Sequence, residues 1–155
     1  MKFSTREDIE APIDYVFAQV SDFPGLERSA LRRGAEVQRV DDIGRDGPGM
    51  IWETAFDLRG KRRKAQIELI ELDRPHSMRF VSRAATINGD LCVDLVAMSR
   101  GRTRLSMEGE LTPKTLSARL IMQSLKLAKS SVTKRFEMRV ASFARDIEDR
   151  YSRRG

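Results

Sequence analysis

Hydrophobic residues recur with helical spacing near both ends of the chain and alternate with polar residues in its middle. Residues 2–9 predict a short strand in which Phe3 and Ile9 share one side. Pro12 then opens a predicted helix, whose apolar stripe is Ile13, Val16, Phe17 and Val20. A second short helix is predicted over residues 26–31. The first quarter of the chain therefore predicts one strand followed by two short helices.

The middle of the chain predicts an antiparallel sheet. Six segments alternate apolar and polar residues, and turn residues such as Asp46-Gly47-Pro48-Gly49 and Arg100-Gly101 separate them. These predicted strands cover residues 35–41, 49–59, 62–72, 77–84, 87–98 and 102–111. Short links imply antiparallel neighbours, and the alternation implies one buried face and one wet face. Asn88-Gly89 is compatible with either a hairpin turn or a bulge within a strand.

The last part of the chain predicts one long amphipathic helix. Thr112-Pro113 supplies a cap and a proline for the first turn, and neither Gly nor Pro occurs from there to Arg150. Its apolar residues are spaced by three or four: Ile121, Leu125, Ala128, Val132, Phe136, Val140, Phe143 and Ile147. Such a helix would be roughly 50 Å long. Because an apolar stripe needs an apolar partner, we expect it to lie on the inner face of the sheet.

Composition narrows the class of protein. The 155 residues suit a single domain, 1–155, and 40% of them are hydrophobic, which is enough for a packed core. The one cysteine, Cys92, cannot form an internal disulfide, and no oxidising compartment is needed. The charged N-terminus has no apolar signal region, and no segment is apolar enough to span a membrane. We therefore expect a cytoplasmic protein.

Several short motifs resemble those of the START/Bet v 1-like superfamily. Ile9–Phe17 (IEAPIDYVF) and Val20–Pro24 (VSDFP) are similar to its opening, and Gly47–Gly49 is similar to its glycine turn. Leu72–Pro75 before Met78–Phe80 is similar to its proline-containing hairpin. The chain thus resembles a bacterial member of this superfamily, also called SRPBCC or polyketide cyclase/dehydrase-like. The resemblance implies an α+β helix-grip fold: a curved antiparallel sheet of about seven strands, here the first strand plus six, wrapped on a long C-terminal helix, with two short helices after the first strand.

The resemblance also implies a cavity between the sheet and the C-terminal helix. Family members bind lipids, sterols, polyketides or quinone-like molecules there, so binding of a small hydrophobic ligand is the first hypothesis. From inward parity and the helix stripe, the expected lining residues are Trp52, Thr54, Phe56, Phe80, Ser82, Leu125, Val132 and Phe136. No cofactor, metal or nucleic acid is expected as a partner.

An enzyme of the cyclase/dehydratase type is the second hypothesis, although few residues suit acid–base chemistry. His76 is the only histidine and falls in a predicted turn, and Cys92 lies on the parity opposite to Leu91 and Val93. Glu53 and Asp57 share a face, because they are four residues apart on one strand, but parity places that face outside. They become the first catalytic candidates only if they point inward.

A membrane-surface or partner-binding role is the third hypothesis. The formal net charge is +6, from 29 Lys and Arg against 23 Asp and Glu. Basic residues cluster at Arg32-Arg33, at 59–64, at Arg100 with Arg102 and Arg104, and at Arg150 with Arg153 and Arg154. Such turns could contact anionic lipid, but solubility alone also explains them. The sequence leaves the oligomeric state open.

Overall fold

The computed structural model describes residues 1–58 and 60–154. Its elements in chain order are β1 (Lys2–Ile9), α1 (Ile13–Val20), α2 (Phe23–Arg32), β2 (Glu36–Arg39), β3 (Ile51–Leu58), β4 (Lys61–Asp73), β5 (Ser77–Ala84), β6 (Ile87–Ser99), β7 (Arg102–Pro113), α3 (Leu116–Leu127) and α4 (Lys129–Ser152). Arg59, which the sequence places at the end of the third strand and in a basic turn, and the side chain of Leu58 lie outside the described residues.

The strands form one curved antiparallel sheet in the order β1-β7-β6-β5-β4-β3-β2, which confirms the predicted fold class. Neighbours along the chain pair directly from β2 to β7, as short links require. The apolar parity is buried: Met50, Trp52, Leu69, Met78, Val93, Leu95 and Leu105 are all 5% exposed or less. Asn88-Gly89 lies inside β6 and is not a turn. Sequence alternation therefore identified the inner face of the sheet.

The second helix is longer than predicted. α2 begins at Phe23, because Asp22 caps it by accepting a hydrogen bond from the Gly25 backbone N–H at 3.2 Å. Pro24 is tolerated in the first turn, where its missing N–H would have no partner in any case. A side chain at Gly25 would collide with the Asp22 carboxylate. Residues 23–25, which precede the predicted range, thus form the first turn of the helix.

The predicted C-terminal helix is wrong in two details. β7 continues to Pro113, which pairs with Ile87, so the helix starts later, at Leu116, with Thr115 Oγ1 accepting from the Ala118 N–H at 3.1 Å. The helix is also interrupted at Ala128, which separates α3 from α4. The hydroxyl-bearing residues 130, 131 and 133 just after the break have low helix propensity. Spacing of apolar residues alone carries no signal for such an interruption.

The two C-terminal helices pack on different parts of the sheet. α4 lies against β1, where Phe136 and Phe3 have ring centroids 6.1 Å apart, and α3 lies against β7. The second half of α4 enters the hydrophobic core through Val140, Ala144 and Ile147. Among the described residues, no helix has the length and apolar character needed to cross a bilayer.

Candidate ligand-binding cavity

A cleft of about 520 Å³ lies between the inner face of the sheet and α2. Two neighbouring rows of paired residues, each running across several strands, form its floor. The first row contains Trp52, Ile67, Ser82, Gly89 and Leu111, and the second contains Phe80, Leu91, Gly109 and Phe3. Within each row, successive residues lie on adjacent strands and are paired directly opposite each other. Because side chains of one parity point to the same face, the register of the sheet places all of them in one wall.

Two glycines lie in this floor. Gly89 and Gly109 occupy inward positions on β6 and β7, next to Leu111 and Leu91 respectively. A Cβ at Gly109 would have only the Asp90 carbonyl oxygen within 4 Å, at 3.9 Å, so the space above this position is empty. At Gly89 a Cβ would lie 3.4 Å from the Ser82 Cβ. The floor of the cleft thus lacks a side chain at two inward positions, and the space above Gly109 is the more open of the two.

The side wall of the cleft comes from α2. Phe23, Leu26, Glu27 and Ala30 follow one another at helical spacing and face the sheet. Phe23 joins Trp52 and Phe80 in an aromatic cluster, with ring centroids 5.5 Å and 6.4 Å from Phe23 and 6.3 Å between the other two. Tilted and edge-on rings at these distances stabilise one another. This cluster fixes α2 against the sheet and forms a rigid part of the cavity wall.

Few polar side chains interrupt the apolar wall. The Trp52 indole Nε1–H donates to Glu27 Oε1 at 2.8 Å, which joins the sheet to α2. Thr54 Oγ1 donates to the Ala65 carbonyl at 2.9 Å, so only its lone pairs remain for a ligand. The Ser82 hydroxyl makes no hydrogen bond with any residue that the structure describes. The Ser82 hydroxyl is thus unpartnered among the described residues, and the Glu27 carboxylate retains free acceptor capacity.

Half of the eight predicted lining residues lie in this wall. Trp52, Thr54, Phe80 and Ser82 line the cleft, whereas Phe56, Leu125, Val132 and Phe136 are absent from the described lining. Phe56 is half-buried farther along β3, and Phe136 packs on Phe3. No described residue of α3 or α4 contributes to the wall, so the cleft is bounded by α2 and not by the C-terminal helix.

Sequence reasoning missed the α2 residues and the two glycines. Two signals could have found them. Phe23, Glu27 and Ala30 have the spacing of one helix face, and Gly109 interrupts an otherwise apolar parity between Met107 and Leu111. The first signal was missed because the predicted helix began only at residue 26, and the second because a missing side chain adds nothing to a hydrophobic pattern.

The acid–base candidates considered from the sequence lie elsewhere. Glu53 and Asp57 are exposed on the outer face, where Asp57 forms an ion pair with Arg62 at 3.3 Å. His76 is exposed in the turn between β4 and β5. Burial raises the pKa of the Cys92 thiol, which opposes formation of the nucleophilic thiolate. None of these four groups faces the cleft.

One acidic residue at the rim already forms an ion pair with an arginine. Asp90 borders the cleft, but Arg79 donates to both of its carboxylate oxygens at 3.1 Å and 2.6 Å. These hydrogen bonds lower the pKa of Asp90 and raise that of Arg79. Asp90 therefore stays ionised and paired with Arg79. Glu27 is the carboxylate whose position within the wall suits a ligand contact.

The sequence matches one protein family over residues 1–148: "Polyketide cyclase / dehydrase and lipid transport". The chain belongs to this family. The match covers nearly the whole chain and confirms the resemblance inferred from the motifs. No curated protein matches the sequence.

Solved structures show the same fold at low sequence identity. The Zhui aromatase/cyclase from Streptomyces sp. R1128 has a TM-score of 0.69 at 14% identity, covering 97% of this chain and 95% of its own. A protein from Thermus thermophilus reaches a TM-score of 0.70 at 16% identity, covering 95% and 97%. A START superfamily protein from Mycobacterium smegmatis reaches 0.56 at 12% identity, covering 86% and 95%. At such identities the likeness establishes the fold alone.

Proposed function

We propose that this protein binds a small hydrophobic molecule in the cleft between the sheet and α2. The observation that carries the proposal is an apolar cleft of about 520 Å³, within the range of roughly 300 to 1,000 Å³ typical of small-molecule sites. Apolar area removed from water, worth about 25 cal/mol per Å², supplies the driving force. The family of the chain, which includes lipid transport, supports the same reading.

The polar groups in the wall indicate the ligand class. Ser82 offers a hydroxyl without an intramolecular partner among the described residues, and Glu27 offers carboxylate lone pairs beside the Trp52 indole. A carboxylate accepts hydrogen bonds, so it favours a ligand that carries a hydroxyl or phenol group. A largely apolar molecule with one or two hydroxyl groups can make both contacts, whereas a hydrocarbon can make neither.

Trp52 is the only tryptophan in the chain and lies in the cavity wall, so its fluorescence reports directly on occupancy. We expect anilinonaphthalene sulfonate to quench Trp52 emission by energy transfer with a saturable, one-site isotherm. A hydroxylated competitor of similar size should displace this probe more effectively than the matching hydrocarbon. A linear response that does not saturate would count against a binding site in the cleft. Equal displacement by both competitors would count against a role for the polar groups of the wall.

A cyclase or dehydratase is the second candidate function, and Glu27 is the observation that favours it. A carboxylate held against an indole in an apolar wall is suited to move a proton on a bound substrate. Glu27→Gln keeps an oxygen acceptor for Trp52 but removes the base. Native mass spectrometry of the wild type and this variant, purified from the same host, separates the two functions. A binding protein carries the same molecule in both forms, whereas a dehydratase variant accumulates a molecule heavier by one water.

A further inference from the structure

The segment around α3 carries positive charge that no acidic residue of the same segment offsets. The segment 112–136 contains six Lys or Arg and neither Asp nor Glu, so it accounts for the entire formal net charge of +6. The six are Lys114, Arg119, Lys126, Lys129, Lys134 and Arg135. All six are exposed, and none forms an ion pair with a described carboxylate. The rest of the chain is neutral overall.

The same helix carries a second apolar stripe that faces solvent. Leu116, Leu120 and Leu127 are 73%, 56% and 92% exposed. At about 100° per residue they fall within one narrow strip on the side opposite to the buried residues Ala118 and Met122. Isolated exposed leucines are ordinary, but three in line on one helix face are not explained by packing.

Two of the cations lie on α3 and border this stripe. On the same helical projection, Arg119 and Lys126 lie to one side of the leucines, between the exposed strip and the buried face. Their long side chains can reach outward while the leucines point away from the protein. An apolar strip flanked by basic residues is the arrangement of helices that lie in the interface of an anionic bilayer.

We propose that α3 docks on an anionic membrane surface, with Leu116, Leu120 and Leu127 inserted among the lipids and the basic residues of segment 112–136 at the level of the headgroups. The charge pattern favours this occupant over an uncharged apolar partner, because a negative surface attracts six exposed cations that have no described carboxylate partner. The proposal does not depend on what the cleft holds.

Docking through α3 would place the cleft near the bilayer. Leu111, in the cavity wall, lies four residues before the helix cap Thr115. The Met1 ammonium donates to the Leu111 carbonyl at 2.8 Å and approaches the Met122 sulfur at 3.9 Å. The buried face of α3 is thus linked through Met1 to the wall of the cleft, and the leucine stripe lies on the other side of the same helix.

Co-sedimentation of the full chain with vesicles tests the proposal. The vesicles are phosphatidylcholine alone or phosphatidylcholine with about one-third phosphatidylserine. We expect binding only to the second kind, falling steeply between about 0.05 M and about 0.5 M salt. Leu120→Ser with Leu127→Ser should lower the partition coefficient about tenfold or more. Val96→Ser with Met98→Ser is the matched control, because these exposed residues lie on β6.

Charge variants test the electrostatic part. Lys126→Gln with Lys129→Gln should weaken binding by about 25-fold, or roughly fivefold for each cation. Arg145→Gln with Arg153→Gln makes the same charge change at the other end of α4 and should leave binding nearly unchanged. Leu127→Trp adds a direct readout, since its emission should shift to the blue when anionic vesicles are added, whereas Trp52 in the wild type should not.

Three outcomes would overturn the proposal. One is equal binding to both kinds of vesicle, and another is vesicle binding that the leucine and charge variants leave unchanged. The third is a concentration-dependent dimer, measured by light scattering, that Leu120→Ser with Leu127→Ser abolishes, because the stripe would then be a contact between two copies. Circular dichroism of each variant confirms that any loss of binding occurs in folded protein.

Discussion

Filling the cleft from its floor should weaken ligand binding without weakening the fold. Gly109→Val adds three carbons at an inward position where only the Asp90 carbonyl lies within 4 Å, at 3.9 Å. A ligand displaced by that volume loses about 0.8 kcal/mol for each methylene-sized contact, or about 2.4 kcal/mol in total, which is roughly a fiftyfold rise in Kd. Replacing a strand glycine also removes chain entropy from the unfolded state, so the free energy of unfolding should stay level or rise by about 0.5–1 kcal/mol.

The assay combines Trp52 fluorescence titration with urea unfolding. Gly101→Val is the matched control, because Gly101 lies in the exposed turn between β6 and β7 with no atom near its absent Cβ. We expect the control to bind anilinonaphthalene sulfonate like the wild type. If Gly109→Val binds the probe as tightly as the wild type, the probe does not occupy the cleft. If binding and stability fall together, the substitution has damaged the sheet, and the inferred space above Gly109 does not exist.

Three further predictions follow from named contacts. Glu27→Ala should lower the free energy of unfolding by about 1–3 kcal/mol, because the buried Trp52 N–H loses its acceptor, while Glu27→Gln should cost less; urea unfolding measures both. Hydrogen bonds, first of all from Arg39, lower the pKa of Asp41 in the folded protein. The stabilisation by Asp41 is therefore complete above its unfolded pKa of about 3.9 and is lost as the pH falls below that value. The Tm of Asp41→Asn should accordingly fall less in acid than the Tm of the wild type. Ile147→Ala should cost about 2–5 kcal/mol, because Ile147 is fully buried, whereas Met138→Ala, 67% exposed on the same helix, should change stability by less than about 0.5 kcal/mol.

Each prediction has a contradicting result. Equal loss in Glu27→Ala and Glu27→Gln would show that the indole hydrogen bond is not what the carboxylate supplies. Parallel Tm curves for the wild type and Asp41→Asn from about pH 6 to about pH 2.5 would show that Asp41 titrates normally in the folded protein. Similar effects of Ile147→Ala and Met138→Ala would mean that the second half of α4 is not part of the core.

The sheet could be predicted from the sequence because one of its faces packs on the core and the other contacts water. Trp52, Thr54, Phe80 and Ser82 share the inner parity, and the register of the sheet brings them to one wall. Asp57, on the opposite parity, is exposed as the alternation implied. Side chains along a strand alternate between the two faces, so a register shift of one residue would bury the charged side chains. The alternation therefore predicts which face is buried.

The boundary of the cavity could not be predicted in the same way. Whether α2 or the C-terminal helix closes the cleft depends on long-range packing, such as the Phe23 contacts with Trp52 and Phe80. The break at Ala128 depends on how α3 and α4 each meet the sheet, which a regular apolar stripe does not reveal. Likewise, Gly109 contributes by the absence of a side chain, and no hydrophobic pattern records an absence.

The central claim is that a hydrophobic molecule occupies the cleft between the sheet and α2. Intermolecular nuclear Overhauser effects between bound anilinonaphthalene sulfonate and assigned methyl groups test it most directly. We predict contacts with Ile67, Leu91 and Leu111, which line the cleft. Contacts confined to Leu116 and Leu127, on the exposed face of α3, would place the probe outside the cleft and contradict the claim.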